Sequence, residues 1–100
     1  MPTVARKKLE VIIEAPVLRR LEAILQEEGV RGWSVFRSVE GSGSHGEWSS
    51  GFAATEKRLV WAVTNAETAE RVMTRLLPFL DDYPGVVCVS DVGVLRPERF

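Results

Sequence analysis

The residues best suited to chemistry lie in Glu40-Gly41-Ser42-Gly43-Ser44-His45-Gly46-Glu47-Trp48-Ser49-Ser50-Gly51. This stretch holds four of the chain's eight glycines and its only histidine. Gly41, Gly43 and Gly46, interleaved with Ser42 and Ser44, could present backbone N–H groups to a phosphate or bicarbonate oxygen. His45 adds a donor whose charge varies near neutral pH. Trp48, beside Gly46 and Glu47, offers a flat apolar face to a base or a partner. The competing reading is a flexible Gly/Ser linker with an exposed imidazole, in which Trp48 only caps the core. A Walker phosphate loop is excluded, because no Gly-Lys-Ser/Thr follows. Glu10 and Glu14 do not make a catalytic pair, since nothing poises one as acid and the other as base. One Cys and one His cannot by themselves form a standard zinc site.

The elements around this stretch must position it. A plain hairpin needs two to five linking residues, whereas Glu40 to Lys57 is about eighteen, so the segment is a working loop. Before it, Lys8 to Glu14 alternates as a strand with Leu9, Val11 and Ile13 on one face. Pro16 then opens a helix whose stripe is Val17, Leu18, Leu21, Ile24 and Leu25, and Gly29 stops it. Trp33 to Val39 reads as the second strand. After the loop, Arg58 to Thr64 is apolar on both faces, as in a strand covered on both sides. Two helices cannot easily supply that cover, so a partner subunit is inferred.

Thr64 or Asn65 can cap the second helix, whose stripe is Ala66, Ala69, Val72, Met73, Leu76 and Leu77. Pro78 should kink it or close it in an irregular turn. Asp81 to Gly85 is a turn by composition. Val86–Val89 and Val92–Leu95 form a last strand interrupted at Ser90-Asp91. The chain is thus one domain, 1–100, with a frayed lead-in at 1–7 and a polar tail at 96–100. Strand, helix, strand, strand, helix, strand predicts an α+β, ferredoxin-like βαββαβ sandwich with both helices on one face.

Composition excludes several functions. A net charge of −1 leaves no electrostatic footprint for nucleic acid, and no RNP-type aromatic pattern is present. No apolar run approaches the roughly 20 residues needed to span a membrane. Met1 to Lys8 carries no signal core, and the single Cys88 in a strand-like run suits a buried thiol. A cytoplasmic location is therefore expected.

Three segments carry a family resemblance. Gly29-Val30-Arg31-Gly32-Trp33-Ser34-Val35 resembles the Gly-x-x-Gly-aromatic-Ser/Thr-Val opening of the second strand in PII signalling proteins. Gly41-Ser42-Gly43 resembles the glycine pair at the base of their T-loop. Tyr83-Pro84-Gly85-Val86-Val87 sits where their B-loop enters the last strand. The likeness spans Lys8 to about Leu95 and is nearest to the bicarbonate-handling, carboxysome-associated PII-like branch. It implies a non-enzymatic homotrimer that holds an adenine nucleotide, with bicarbonate, in clefts between subunits. No metal is expected. The implied T-loop is 40–57, acting on a target such as a bicarbonate transporter or a carboxysome-related component.

By the same resemblance the nucleotide would meet Ser34, Gly41, Ser42, Gly43, Ser44, His45, Gly85 and Val86, together with Arg96 and Arg99. Gly46, Glu47 and Trp48 would serve the partner or bicarbonate. Ser34 could bond the adenine edge, and either arginine could grip phosphate in fork geometry. The plainer reading of 96–100 is a disordered tail. Trp33 and Trp61 are expected in core or interface, and Arg37 at the surface or a trimer contact. Val86 stands where nitrogen-sensing members place a lysine for the terminal phosphate, which favours AMP or ADP over ATP. The loop has no tyrosine for uridylylation, and the glutamine–lysine pair of those members is not visible after Gly43.

Two other readings on the same topology are weaker. An acylphosphatase-like hydrolase needs an N-terminal Arg cradle and a positioned Asn, but the first strand runs into Glu14-Ala15-Pro16 and the only Asn is Asn65. A metal-tolerance trimer would have to pool Glu40, His45 and Glu47 from three subunits.

Overall fold

The computed structural model describes residues 2–37, 40–43, 46–48 and 56–100. β1 (Val4–Glu14) leads through a 3-10 turn, Ala15–Val17, into α1 (Leu18–Glu27). Then come β2 (Ser34–Phe36), β3 (Gly41–Gly43), β4 (Gly46–Trp48) and β5 (Lys57–Thr64). α2 (Ala66–Asp82), β6 (Gly85–Val94) and a 3-10 turn at Pro97–Arg99 complete the chain. The main sheet runs β2-β5-β1-β6 and is antiparallel throughout. This is the expected ferredoxin-like α+β fold. β3 and β4 form a separate two-stranded ribbon within the segment read as a loop, with Gly41 opposite Trp48.

Alternation sorts the main sheet into two faces. Leu9, Val11 and Ile13 of β1 bury beneath the helices with Val60 and Ala62 of β5. Leu21, Ile24 and Leu25 of α1 and Ala69, Val72, Leu76 and Phe79 of α2 close this core. Each fully buried Leu or Ile contributes roughly 1.5–3 kcal/mol relative to exposure. α1 ends where Gly29 takes φ +91°, a left-handed value that suits glycine. α2 is capped by Asn65, whose Oδ1 accepts the Thr68 N–H at 2.8 Å.

Several boundaries differ from expectation. The lead-in expected to fray over 1–7 is instead strand from Val4 onward, because β6 supplies partners from Asp91 to Val94. β6 likewise runs unbroken through Ser90 and Asp91, which lie opposite Lys8 and Lys7, and the Lys7 ammonium pairs with the Asp91 carboxylate. β2 covers only Ser34–Phe36, and 38–39 lie outside the described residues. α2 continues past Pro78 to Asp82, so Asp81 and Asp82 are helical rather than turn. Pro78 falls in the closing turns, where buried Leu76 and Phe79 on either side anchor the helix to the core. Leu77, assigned to the apolar stripe, is 73% exposed.

Among the described residues, no helix lies on the other face of the sheet. Register places Ile12, Leu59, Trp61, Phe36, Val86 and Cys88 on it together. Phe36 stacks against Trp61 at 6.2 Å, and the Lys8 ammonium lies 4.9 Å from the indole centroid. Cys88 is exposed here rather than buried, because it points away from the helices.

Candidate functional site

At one end of the open face, where β2 borders β5, lies a cavity of about 230 Å³. Arg31, Trp33, Ser34, Trp61, Arg99 and Phe100 line it. Sheet register puts Ser34 directly opposite Trp61, so hydroxyl and indole share one face. Trp33 is held from behind: its Nε1–H donates to Glu22 Oε2 at 3.0 Å, and Arg19 Nη1 donates to Glu22 Oε1 at 2.9 Å. The last residues turn back over this end of the sheet. Arg31 Nη1 donates to the Glu98 carbonyl, and Arg6 Nη2 donates to the Pro97 carbonyl at 3.4 Å. Two turn bonds, Arg99 N–H to Arg96 O and Phe100 N–H to Pro97 O, each 3.1 Å, shape the segment. The expected tail is thus docked on the sheet.

Aromatic faces from Trp33, Trp61 and Phe100, one hydroxyl and two guanidinium groups suit a flat heteroaromatic ring that carries an anion. A larger open groove of about 540 Å³ runs along α2 past Glu28, Arg71 and Arg75. Its cations are already engaged. Arg71 donates to Glu28 and Thr68, and Arg75 donates to Glu27 at 2.8 Å and to Glu28 at 3.2 Å. Those bonds, Glu27's first, hold the Arg75 guanidinium above its ordinary value. Phosphate would have to displace them, so the smaller cavity is the better candidate.

Within one chain the nominated residues that are described do not converge. Ser34 and Arg99 meet in the cavity, while Arg96 is exposed and caps the closing turn. Gly85 and Val86 begin β6, at the opposite edge, with β5 and β1 between them and β2. Three strand spacings separate those edges by about 14 Å. Gly85 has a packing reason of its own: a Cβ there would stand 2.6 Å from the Ile12 carbonyl oxygen. Gly41, Ser42 and Gly43 pair with Trp48, Glu47 and Gly46, so part of the proposed amide cradle is engaged in a ladder. Ser44 and His45 lie outside the described residues, as do 49–55. The return of the segment is tied down at its foot. Ala15 N–H donates to Glu56 O at 2.8 Å, Lys57 Nζ lies 3.4 Å from Glu14, and Arg58 Nη2 donates to Glu56 at 3.0 Å.

Arg31 and Phe100 were not foreseen as lining residues; Trp33, expected in core or interface, packs against the core while also lining the cavity, and Trp61 lines it from the open face. Adjacency to Ser34 was a signal for Trp33. Trp61 could be found only through the β2–β5 register, and Phe100 only through the docking of the last turn. Among the described residues no group of three or more His, Cys, Asp or Glu could hold a metal ion. No helix among them is long and apolar enough to cross a membrane.

The sequence profile described as nitrogen regulatory protein P-II matches residues 6–99. No curated protein sequence matches significantly. Among solved structures, CPII from Thiomonas intermedia K12 bound to ADP and bicarbonate is similar, with a TM-score of 0.90 and 28% identity over 99% of this chain and 97% of that one. CPII bound to ADP, AMP and acetate gives a TM-score of 0.87 at 27% identity, covering 100% and 98%. The apo form of CPII gives 0.77 at 24% identity over 93% and 95%, a likeness of fold alone.

Proposed function

Because the chain belongs to the nitrogen regulatory protein P-II family, we propose that it is a cytoplasmic, non-enzymatic signalling trimer that binds AMP or ADP in clefts between subunits. Bicarbonate is the second ligand. The segment 40–57 then reports occupancy to a target such as a bicarbonate transporter or a carbon-concentrating component. One observation carries this reading: Ser34 and Arg99 meet among aromatic faces at one sheet edge, while Gly85 and Val86 lie at the other. A cleft that uses all four needs a neighbouring subunit. The uncovered apolar face, with Phe36 42% and Val86 51% exposed, supports the same assembly. Similarity to CPII, bound to ADP and bicarbonate, supports the choice of ligands. Val86 places no cation near a terminal phosphate, which favours AMP and ADP over ATP.

Calorimetric titration with AMP, ADP and ATP, with and without bicarbonate, tests the reading on protein whose mass is fixed by light scattering. ADP and AMP should bind more tightly than ATP, and bicarbonate should tighten them. Arg99→Ala removes a charge-assisted contact of about 1.5–3 kcal/mol and should weaken ADP roughly 10- to 100-fold. A folded trimer that takes up none of these nucleotides at millimolar concentration would refute it.

A further inference from the structure

Glu22 lies on α1 outside the cavity wall, yet its side chain is only 18% exposed and both carboxylate oxygens are engaged. Oε1 accepts from Arg19 Nη1 at 2.9 Å, and Oε2 accepts the Trp33 Nε1–H at 3.0 Å. Trp33 packs against the core, while the next residue, Ser34, begins β2 on the open face opposite Trp61. Successive residues of an extended chain point to opposite sides, so fixing the indole fixes the hydroxyl beside it. β2 needs such an anchor. It has three residues, lies at the edge of the sheet and pairs with β5 alone. Upstream, the last backbone tie to α1 is the Val30 N–H on the Leu25 carbonyl at 2.9 Å. Between that bond and the ladder, Arg31 donates to the Glu98 carbonyl and Trp33 donates to Glu22. The second of these ties the strand's entry to a helix packed in the core.

We propose that Glu22 is a positioning residue for the nucleotide: acting through the Trp33 indole, it holds the Ser34 hydroxyl and one cavity wall in the geometry that receives the base. This rests on the nucleotide reading given above and extends it to a residue outside the cavity. An ionised carboxylate is a stronger acceptor than a neutral group, and in a part-buried setting water competes less for the N–H. The indole is pinned at its Nε1 end while its ring stays against the core, so the site is set before a ligand arrives. Preorganisation of this kind raises affinity by removing an ordering cost from the binding step. Without the carboxylate the N–H must turn to water, and the entry to β2 loses its tie to α1.

The test uses the full chain with ADP as probe and compares wild type, Glu22→Ala, Glu22→Gln, Trp33→Phe and the double variant Glu22→Ala/Trp33→Phe. Titration calorimetry is run at a temperature where circular dichroism shows each one folded. Glu22→Ala should weaken ADP about fivefold, and Glu22→Gln, which keeps a carbonyl acceptor, should stay within about twofold of wild type. Trp33→Phe keeps a ring but lacks the donor, and should weaken ADP at least as much as Glu22→Ala. On that background Glu22→Ala should change ADP by less than about twofold, because the bond it removes is already gone. The Trp33 Nε1–H proton resonance, assigned by its loss in Trp33→Phe, should move in Glu22→Ala and hold near its place in Glu22→Gln. Wild-type affinity in Glu22→Ala, or an equal loss with and without the indole, overturns the positioning role and leaves the nucleotide reading standing. If Glu22→Ala does not fold, Trp33→Phe decides: wild-type ADP affinity in it overturns the role. A wild type that binds no ADP overturns both the role and the reading beneath it.

Discussion

Gly85→Ala separates two reasons for a glycine at the start of β6. A Cβ built on Gly85 stands 2.6 Å from the Ile12 carbonyl oxygen and 3.1 Å from Ile13 Cγ2, with Leu80 Cδ2 at an ordinary 3.5 Å. The first neighbour is backbone of β1, the strand against which β6 is registered, so it cannot move alone. The second belongs to a side chain with no exposed surface and has no room to retreat. Overpacking of this kind costs about 1–3 kcal/mol, and spreading β6 from β1 to relieve it gives up a ladder hydrogen bond of roughly 1 kcal/mol. A net loss of about 2–3 kcal/mol lowers the Tm of a domain this size by about 10–20 °C. Scanning calorimetry at fixed protein concentration without nucleotide measures it, since assembly and ligand both shift Tm by mass action. Gly32→Ala is the matched control: its Cβ would meet nothing within 4 Å, and its Tm should stay near wild type. If Gly85→Ala melts within about 3 °C of wild type, the close-approach argument is wrong and a ligand contact becomes the better account of this glycine.

Two further perturbations address the open face and the helix cap. Val86→Asp sits on a half-exposed site of a single chain, where surface changes stay within about 0.5 kcal/mol. If that face meets another subunit, the carboxylate is buried unpaired, and light scattering should show single chains with unchanged circular dichroism. An assembly of undiminished mass would place the contact elsewhere. Asn65→Ala removes the acceptor of the Thr68 N–H and should cost about 1 kcal/mol, or 4–8 °C in Tm. A stability equal to wild type would mean that water or Thr64 replaces the cap.

Much of the fold was legible because its signals are local. The alternation of Leu9, Val11 and Ile13, the spacing of Leu21, Ile24 and Leu25, the stop at Gly29 and the N-cap at Asn65 all act within one element. The misplacements share a different cause. Val4 to Lys7 looked frayed and Ser90-Asp91 looked like a break, yet Val4 to Lys7 pair with Val94 to Asp91, and Ser90 pairs with Lys8, across the β1–β6 ladder. β propensity depends on such partners more than on the residues themselves. Leu77 shows the complementary limit, since one residue at the margin of a helical stripe falls inside or outside according to how the helix is rotated on the sheet.

The amino-acid order alone determined that two helices and four long-range strands would form, which faces of β1 and α1 would be dry, and that a glycine–serine segment would join β2 to β5. These follow from periodicities of two and 3.6 and from residues that start or stop an element. Tertiary structure alone decided that Ser34 looks at Trp61, that Gly85 lies an entire sheet away from it, and that Phe100 returns to the same cavity. Such neighbours are set by strand register and by where a chain end docks, and both arise from contacts between residues distant in sequence.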